Sequence, residues 1–524
     1  MESTPLAPRS LRFFGLAVIC LALAALAARI NAPSDLWDQT QPRTIAYTAD
    51  MVTRGGTAWI LAKDALGFPA TKPPLYNWLA TPAVAVFGRA SEIAHKSPSL
   101  IAMAAIVAIL VALGRRIAPA AGWLAALAWL ACYPTFKLGY LARPDMMLCL
   151  VLLVGWWSVA RLLVPNTLEA ENSQVARSNT LIVAAFWGCV VLAGWLKGPV
   201  AIVLPLFAIV ASLIVHRSIA PLKRFRAAWG VPLVLVLTPL WYGAVAFIDS
   251  HHLIQSLWHD EIFGRVTGVG PEGGRRGIGG TLRGLLDMPF YFMVRFGPWS
   301  VAALLGGLAL LDRRHNGGVA RWRTTPSGDM LLLATVWVVM LIGVFSWSSG
   351  KRADYIAPAY APAALVAAWW LLKDRFSPLR GAPWLAVPIA ALLLAAMGVA
   401  AWRLNVYTAK TMERFQSVVT ALEALPRDMP LVVIAPQMPH WAILAATPTP
   451  SENTIDRVHE YLDRGQSVRV LMADLAAMHA VYPLVEDGRG SLVWSISHTE
   501  EALQDGYPSP AMLVELHPPS NALR

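Results

Sequence analysis

Apolar runs of roughly twenty residues repeat along most of the chain, parted by short polar segments rich in Arg and Lys. Runs of that length match the ~30 Å hydrocarbon core of a bilayer. They predict membrane spans at 11–29, 98–113, 119–136, 145–163, 180–196, 199–215, 227–247, 288–311, 329–346, 356–372 and 383–402. That makes about eleven spans, with about thirteen as the upper bound. The first run sits behind Arg9 and Arg12. It predicts an uncleaved signal anchor with its N-terminus in the cytoplasm. Residues 74–88 are apolar but short for a span, which predicts a helix lying at the interface or re-entering. From residue 403 the pattern changes. PLVVIAP (430–436), SVRVLMA (467–473) and SLVWSIS (491–497) predict short strands, and VHEYLDRG (458–465) a helix ended by Gly465. The expected fold is an all-α polytopic membrane domain over 1–402, followed by a small soluble α/β domain over 403–524 on the outer side.

Composition agrees. Of 524 residues, 56% are hydrophobic and only 14% charged, against about 25% charged in soluble proteins. Mean hydropathy is +0.52. Disorder, collagen and coiled coil are excluded. The net charge of +11 would suggest nucleic acid in a soluble protein. In a membrane protein it reflects Lys and Arg held in cytoplasmic loops, so no nucleic-acid partner is expected. Cys20, Cys132, Cys149 and Cys189 all lie in apolar stretches and predict no disulfide framework.

Alternation of the spans puts Arg115-Arg116, Arg217 with Lys223, Arg224 and Arg226, Arg313-Arg314 with Arg321 and Arg323, and Lys373 with Arg375 and Arg380 inside. It puts residues 30–97, 137–144, 248–287 and 347–355, and the turn at Lys197, on one outer face. Charged residues there break the positive-inside pattern, and a charge at the mouth of a span is costly without water, a partner or a substrate. Asp38, shortly after span 1, has the chemistry of a general base or metal ligand; it also reads as a solvated loop carboxylate. Lys72 stands in Thr71-Lys72-Pro73-Pro74-Leu75-Tyr76. The prolines fix the backbone where lipid phosphates lie, and ordinary snorkelling is the rival reading. Asp145 follows Arg143-Pro144 and equally reads as the cap of its own span. Lys197-Gly198-Pro199 and Ser349-Gly350-Lys351-Arg352, with Tyr355 beyond, add cations that a shared anionic ligand would explain. His259, Asp260 and Glu261 invite a metal reading, but three polar neighbours in sequence read better as a solvated loop, with Arg265 a further phosphate contact. The Gly-rich run 270–280 follows no strand and reads as a loop, not a nucleotide site.

The order of these motifs resembles bacterial members of the protein mannosyltransferase and aminoarabinose transferase superfamily, with the GT-C fold. TKPPLYNW (71–78), WLKGPVAIVLP (195–205) and SSGKRADYIAPAYAP (348–362) carry the likeness, which covers about residues 10–400. It implies an inverting glycosyltransferase that takes a sugar from a polyprenyl phosphate such as undecaprenyl phosphate. Transfer to a lipid A-like, glycan or protein acceptor would occur on the outer face of the inner membrane, among membrane lipids. Asp38 then looks like the catalytic carboxylate, with Asp145 as the second acidic residue. Lys72 looks like the donor-phosphate contact, joined by Lys197, Lys351 and Arg265. Tyr76, Arg352 and Tyr355 are expected to touch substrate. The chain has Gln39 and Thr71 where relatives often carry acids, and the Glu at the second place helps hold a metal in some of them. A divalent ion is therefore left open, with Asp38, His259 and Glu261 as the residues it would use. In this chemistry the lysines neutralise charge growing on the leaving phosphate. Asp38 takes the proton of the acceptor hydroxyl, and Asp145 stabilises oxocarbenium character. The rival classes are a flippase for lipid-linked glycans and a non-catalytic membrane scaffold.

Overall fold

The structure is a computed structural model. It describes residues 8–36, 40–64, 69–89, 91–163, 173–252, 278–312, 318–323, 325–347, 352–373, 382–423, 429–434, 455–472, 475–496 and 511–518. The longer helices in chain order are α1 (Pro8–Ile30), α2 (Thr40–Arg54), α3 (Leu75–Phe87), α4 (Glu92–Gly114), α5 (Ala121–Leu130), α6 (Tyr133–Leu138), α7 (Asp145–Leu163), α8 (Ser173–Lys197), α9 (Pro199–His216), α10 (Ala227–Leu237), α11 (Leu240–Ile248), α12 (Ile278–Arg295), α13 (Trp299–Leu311), α14 (Pro326–Trp347), α15 (Tyr360–Lys373) and α16 (Ala386–Glu423). Among the described residues nine helical segments are long and apolar enough to cross a membrane, or ten if one bent pair is a span. The chain is a multi-pass membrane protein. Large apolar side chains face outward, as lipid contact allows; Phe247 is 96% exposed and Trp229 80%.

Two of the expected spans differ. The run 119–136 holds the ten-residue α5, about 15 Å long, and the start of α6. Cys132 is extended and Pro134 opens α6 at its first turn, so one continuous helix does not form. Helix α5 is buried along nearly its whole length; protein packing, rather than bilayer thickness, surrounds it. The run 288–311 bends by 112° between Arg295 and Trp299. Pro298 lacks an N–H there, and α12 ends with Arg295 at the elbow.

The chain divides into two compact units. The first comprises Met1–Asn31, Thr71–Tyr76 and Lys96–Ala400. Its core is an apolar mass in which α7 packs along α8 and α9, and α15 packs along α5 and α13. Small residues permit close approach: a Cβ on Gly122 would lie 2.3 Å from the Val111 carbonyl oxygen. The two ends of this bundle differ. At one end Arg224 donates to the Leu162 carbonyl at 2.8 Å, Arg323 to the His216 carbonyl at 2.9 Å, and His216 pairs with buried Asp329 at 3.1 Å. The opposite ends of α7 and α9 carry Asp145 and the Lys197 turn.

The second unit comprises Ala32–Ala70, Asn77–His95 and Ala401–Arg524. Its C-terminal part is a four-stranded sheet of β1 (Leu431–Ile434), β2 (Val468–Met472), β3 (Gly490–Ile496) and β4 (Ala511–Leu516), in the order β1-β2-β4-β3. Strands β1 and β2 are parallel, and the other pairs antiparallel. Every residue of β2 is buried, as a central strand covered on both faces requires. Arg469 on β2 pairs with its cross-strand neighbour Glu515 at 2.6 Å. The helix Ile455–Asp463 lies before β2, and Gly465 supplies the positive φ of 72° that ends the turn after it.

Candidate functional site

One polar cluster lies within the first unit, where the ends of α6, α7, α8 and α12 meet the short turn Ala353–Ala359. Each member is placed by a local break in a span. Pro144 precedes α7, so Asp145 opens that helix. Lys197 ends α8, and Gly198 (φ 81°) lets the chain enter α9 at once through Pro199, which suits the first helical turn. A side chain at position 198 would be strained by that φ. Arg295 stands at the elbow between α12 and α13.

These positions form a ladder of alternating charge. Lys197 Nζ donates to Asp145 Oδ1 at 2.6 Å, and Arg143 Nε lies 3.1 Å from Asp145 Oδ2. Arg143 Nη1 lies 3.8 Å from Asp354 Oδ2. Lys137 Nζ donates to that same oxygen at 3.0 Å, and Arg295 Nη1 donates to Asp354 Oδ1 at 2.8 Å. Lys197 also stands 5.7 Å from the centre of the Tyr355 ring. Among the described residues, four cations against two carboxylates leave a surplus of two positive charges.

The ladder changes the expected part of Asp145. Its side chain is 4% exposed and faces a cation on each oxygen. Among the described residues neither oxygen accepts a backbone N–H of α7, so the cap reading does not hold. A carboxylate so enclosed holds Lys197 and Arg143 in place. Tyr76 is also enclosed by protein. It is 2% exposed, and its hydroxyl donates to the Leu141 carbonyl at 3.2 Å. Ser99 Oγ donates to the same carbonyl at 2.6 Å and lies 3.2 Å from that of Arg143. Tyr76 therefore ties the Lys72-Pro73-Pro74 segment to the backbone that carries Arg143 and Asp145. Lys72 is half-buried just before α3, Tyr355 is half-buried, and Arg352 is exposed.

In the second unit α2 starts two residues beyond Asp38. Gln41 donates to the Asp35 carbonyl at 3.1 Å and lies 3.3 Å from its carboxylate. Buried Asp50 accepts both Nε (2.9 Å) and Nη2 (2.7 Å) of Arg54, and the Lys63 backbone N–H at 2.8 Å. The hydrogen bond to Asp50 raises the Arg54 pKa further above its already high value. Buried Asp64 pairs with Arg43 at 3.2 Å. Asp38 itself, Lys351, Arg265, His259 and Glu261 lie outside the described residues. Among the described residues no three His, Cys, Asp or Glu side chains converge as a metal site requires.

Sequence reasoning did not single out Asp354, Lys137 or Arg295, and quoted Arg143 without a role. A signal was there for Asp354: like Asp145, it is an acid set beside an apolar run at a predicted outer end. Nothing in its spacing pairs it with Lys137, some 217 positions away.

Comparison with known proteins bears on the fold. No family model matches the chain. The structure of ArnT from Cupriavidus metallidurans bound to undecaprenyl phosphate superposes with a TM-score of 0.70, over 97% of this chain and 98% of that one, at 17% identity. The chain has the GT-C fold. In sequence, an undecaprenyl phosphate-alpha-4-amino-4-deoxy-L-arabinose arabinosyl transferase of Pectobacterium carotovorum is 27% identical over 226 residues, covering 41% of this chain and 36% of that relative. A transferase of the same name from Pseudomonas aeruginosa is 25% identical over 331 residues, 58% of this chain and 56% of that relative. The matched part thus spans well under two thirds of either curated relative.

Proposed function

We propose that the chain is an inverting glycosyltransferase that moves a sugar from a polyprenyl phosphate to a hydroxyl of a lipid, glycan or protein acceptor. The reaction takes place at the periplasmic face of the inner membrane. Residues 1–402 carry the reaction and 403–524 form a soluble periplasmic domain. The observation that carries this reading is the surplus of two positive charges in the ladder, set in the GT-C fold. The leaving group of such a donor is a phosphate whose negative charge grows as the glycosidic bond breaks. Fixed cations in a site of low dielectric stabilise that charge without reorganising.

Lys72 and Lys197 meet the donor phosphate. Asp145 fixes Lys197 and Arg143, and Tyr76 with Ser99 fixes the backbone around Arg143. Asp38 takes the proton from the acceptor hydroxyl as the new bond forms on the face opposite the leaving phosphate. Lys351 and Arg265 are further phosphate contacts, and Arg352 and Tyr355 contact the substrate. No nucleotide is required, because the donor brings its own leaving group. Where transfer requires a divalent ion, Asp38, His259 and Glu261 are the residues to hold it.

The test is transfer in proteoliposomes from labelled polyprenyl-phosphate sugars, with membrane extract as acceptor. Wild type, Asp38→Asn and Lys72→Gln are run together. Wild type should release polyprenyl phosphate and label the acceptor. Asp38→Asn should bind donor yet lose transfer by about 100-fold or more. Lys72→Gln should weaken donor binding about tenfold or more, the loss of one charge-assisted contact. Movement of intact lipid-linked sugar across the bilayer without transfer would favour a flippase instead. Donor binding and transfer both absent across the whole panel would favour a scaffold.

A further inference from the structure

The Asp354 end of the ladder holds more positive charge than its one carboxylate can match. Lys137 and Arg295 occupy its two oxygens at 3.0 and 2.8 Å, and Arg143 adds a third cation at 3.8 Å. Lys137 and Arg295 also reach the surface, with side chains 31% and 25% exposed. The Arg295 guanidinium carbon lies 5.2 Å from the Tyr133 ring centre and 5.5 Å from that of Tyr291. These rings and Asp354 fix the plane of the guanidinium. Among the described residues only Nη1 of its nitrogens has a protein acceptor. A planar, pre-oriented guanidinium beside an ammonium matches a tetrahedral oxyanion. Ordinary snorkelling does not explain the arrangement. A snorkelling Arg needs only water at its head, whereas Arg295 is clamped by an acid and two rings.

We propose that Lys137 and Arg295, aimed by Asp354, bind the phosphate group of a lipid at a subsite additional to the Lys72 contact. The subsite rests on charge balance and geometry. The proposed function enters only in choosing which lipid to offer first.

The experiment uses the full chain in phosphatidylcholine nanodiscs. Binding is measured for undecaprenyl phosphate and for phosphatidylglycerol, with inorganic phosphate as competitor. The variants are Arg295→Gln, Lys137→Gln and the charge-preserving Arg295→Lys. Arg295→Gln should weaken undecaprenyl phosphate about tenfold or more, Lys137→Gln by less, and Arg295→Lys should recover part of the loss. Phosphatidylglycerol binding should change little. If phosphatidylglycerol loses affinity by the same factor and undecaprenyl phosphate does not, the subsite stands and its ligand is a bulk headgroup. If inorganic phosphate alone is affected, the proposal fails, because the subsite then has no lipid. Unchanged binding of all three ligands in both glutamine variants overturns it as well. Should Arg295→Gln not fold, Lys137→Gln carries the test, since Lys137 is held by a single ion pair. Transfer is assayed separately. Loss of transfer chemistry in wild type would sink the proposed function and leave this binding result intact.

Discussion

Asp145 and Lys197 should behave as one unit in stability. Their 2.6 Å contact is worth about 6 kcal/mol of gross Coulomb attraction at an effective dielectric of about 20. Desolvation of a carboxylate that is 4% exposed consumes much of that. What survives is an asymmetry: breaking a buried pair by removing one partner costs about 3–5 kcal/mol, because the other charge is left uncompensated. Asp145→Asn leaves Lys197 without its acid and Arg143 with only Asp354 at 3.8 Å, and raises the cluster surplus by one charge. Lys197→Met leaves Asp145 with Arg143 alone. The double variant removes both halves of the closest pair and leaves Arg143 its contact with Asp354. Each single change should therefore lower the melting temperature clearly, and the double variant should fall short of their sum. The expected coupling is about 1–3 kcal/mol. Scanning fluorimetry of the 22 tryptophans reads the shifts, and transfer is measured per folded molecule alongside. Additive shifts would refute the ladder as a unit. An Asp145→Asn variant of wild-type stability with no transfer would refute the positioning role, and return Asp145 to direct contact with the reacting sugar.

Three further outcomes follow from local geometry. Tyr76→Phe loses the hydroxyl bonds to Ser99 and Leu141; it should cost about 1–2 kcal/mol in stability while transfer per folded molecule falls less than about threefold, and a large loss of donor affinity would make Tyr76 a substrate contact after all. Asp50→Ala removes the acceptor of Arg54 and of the Lys63 N–H; hydrogen exchange should accelerate over residues 50–63 by about 100-fold, the loss of about 3 kcal/mol locally, and unchanged protection would show that the loop does not depend on it. Gly122→Ala sets a Cβ 2.3 Å from the Val111 carbonyl oxygen, a backbone atom that no rotamer change can move; the melting temperature should fall with a cost of about 1–3 kcal/mol, and a neutral result would show that α4 and α5 can separate freely.

Much of the architecture was written in local pattern. A run of apolar residues long enough for a bilayer has little choice but helix, because unpaired backbone in lipid is too costly. The spans from α7 to α9, the short α3 and strands β1, β2 and β3 followed from that and from alternation. Local pattern also marked Asp38, Lys72, Asp145 and Lys197 as charges out of place. It did not reveal that 119–136 would break at Pro134, or that 288–311 would bend at Pro298, because an apolar run reads alike whether lipid or protein surrounds it. Nor did it predict β4, whose run 511–516 pairs with strands more than ten residues away on either side.

What only the tertiary structure decided is which charges meet. Asp145 lies 52 positions from Lys197, and Asp354 lies 59 from Arg295 and 217 from Lys137. Sequence fixes the charge and its place on a span; the packing of five separate segments fixes its partner. That is why the sequence could set Asp145 at the end of a span but not between two cations, and why Asp354 went unremarked. A helix end has its character within one turn, but the balance of charge at a bundle's mouth exists only once the bundle has closed.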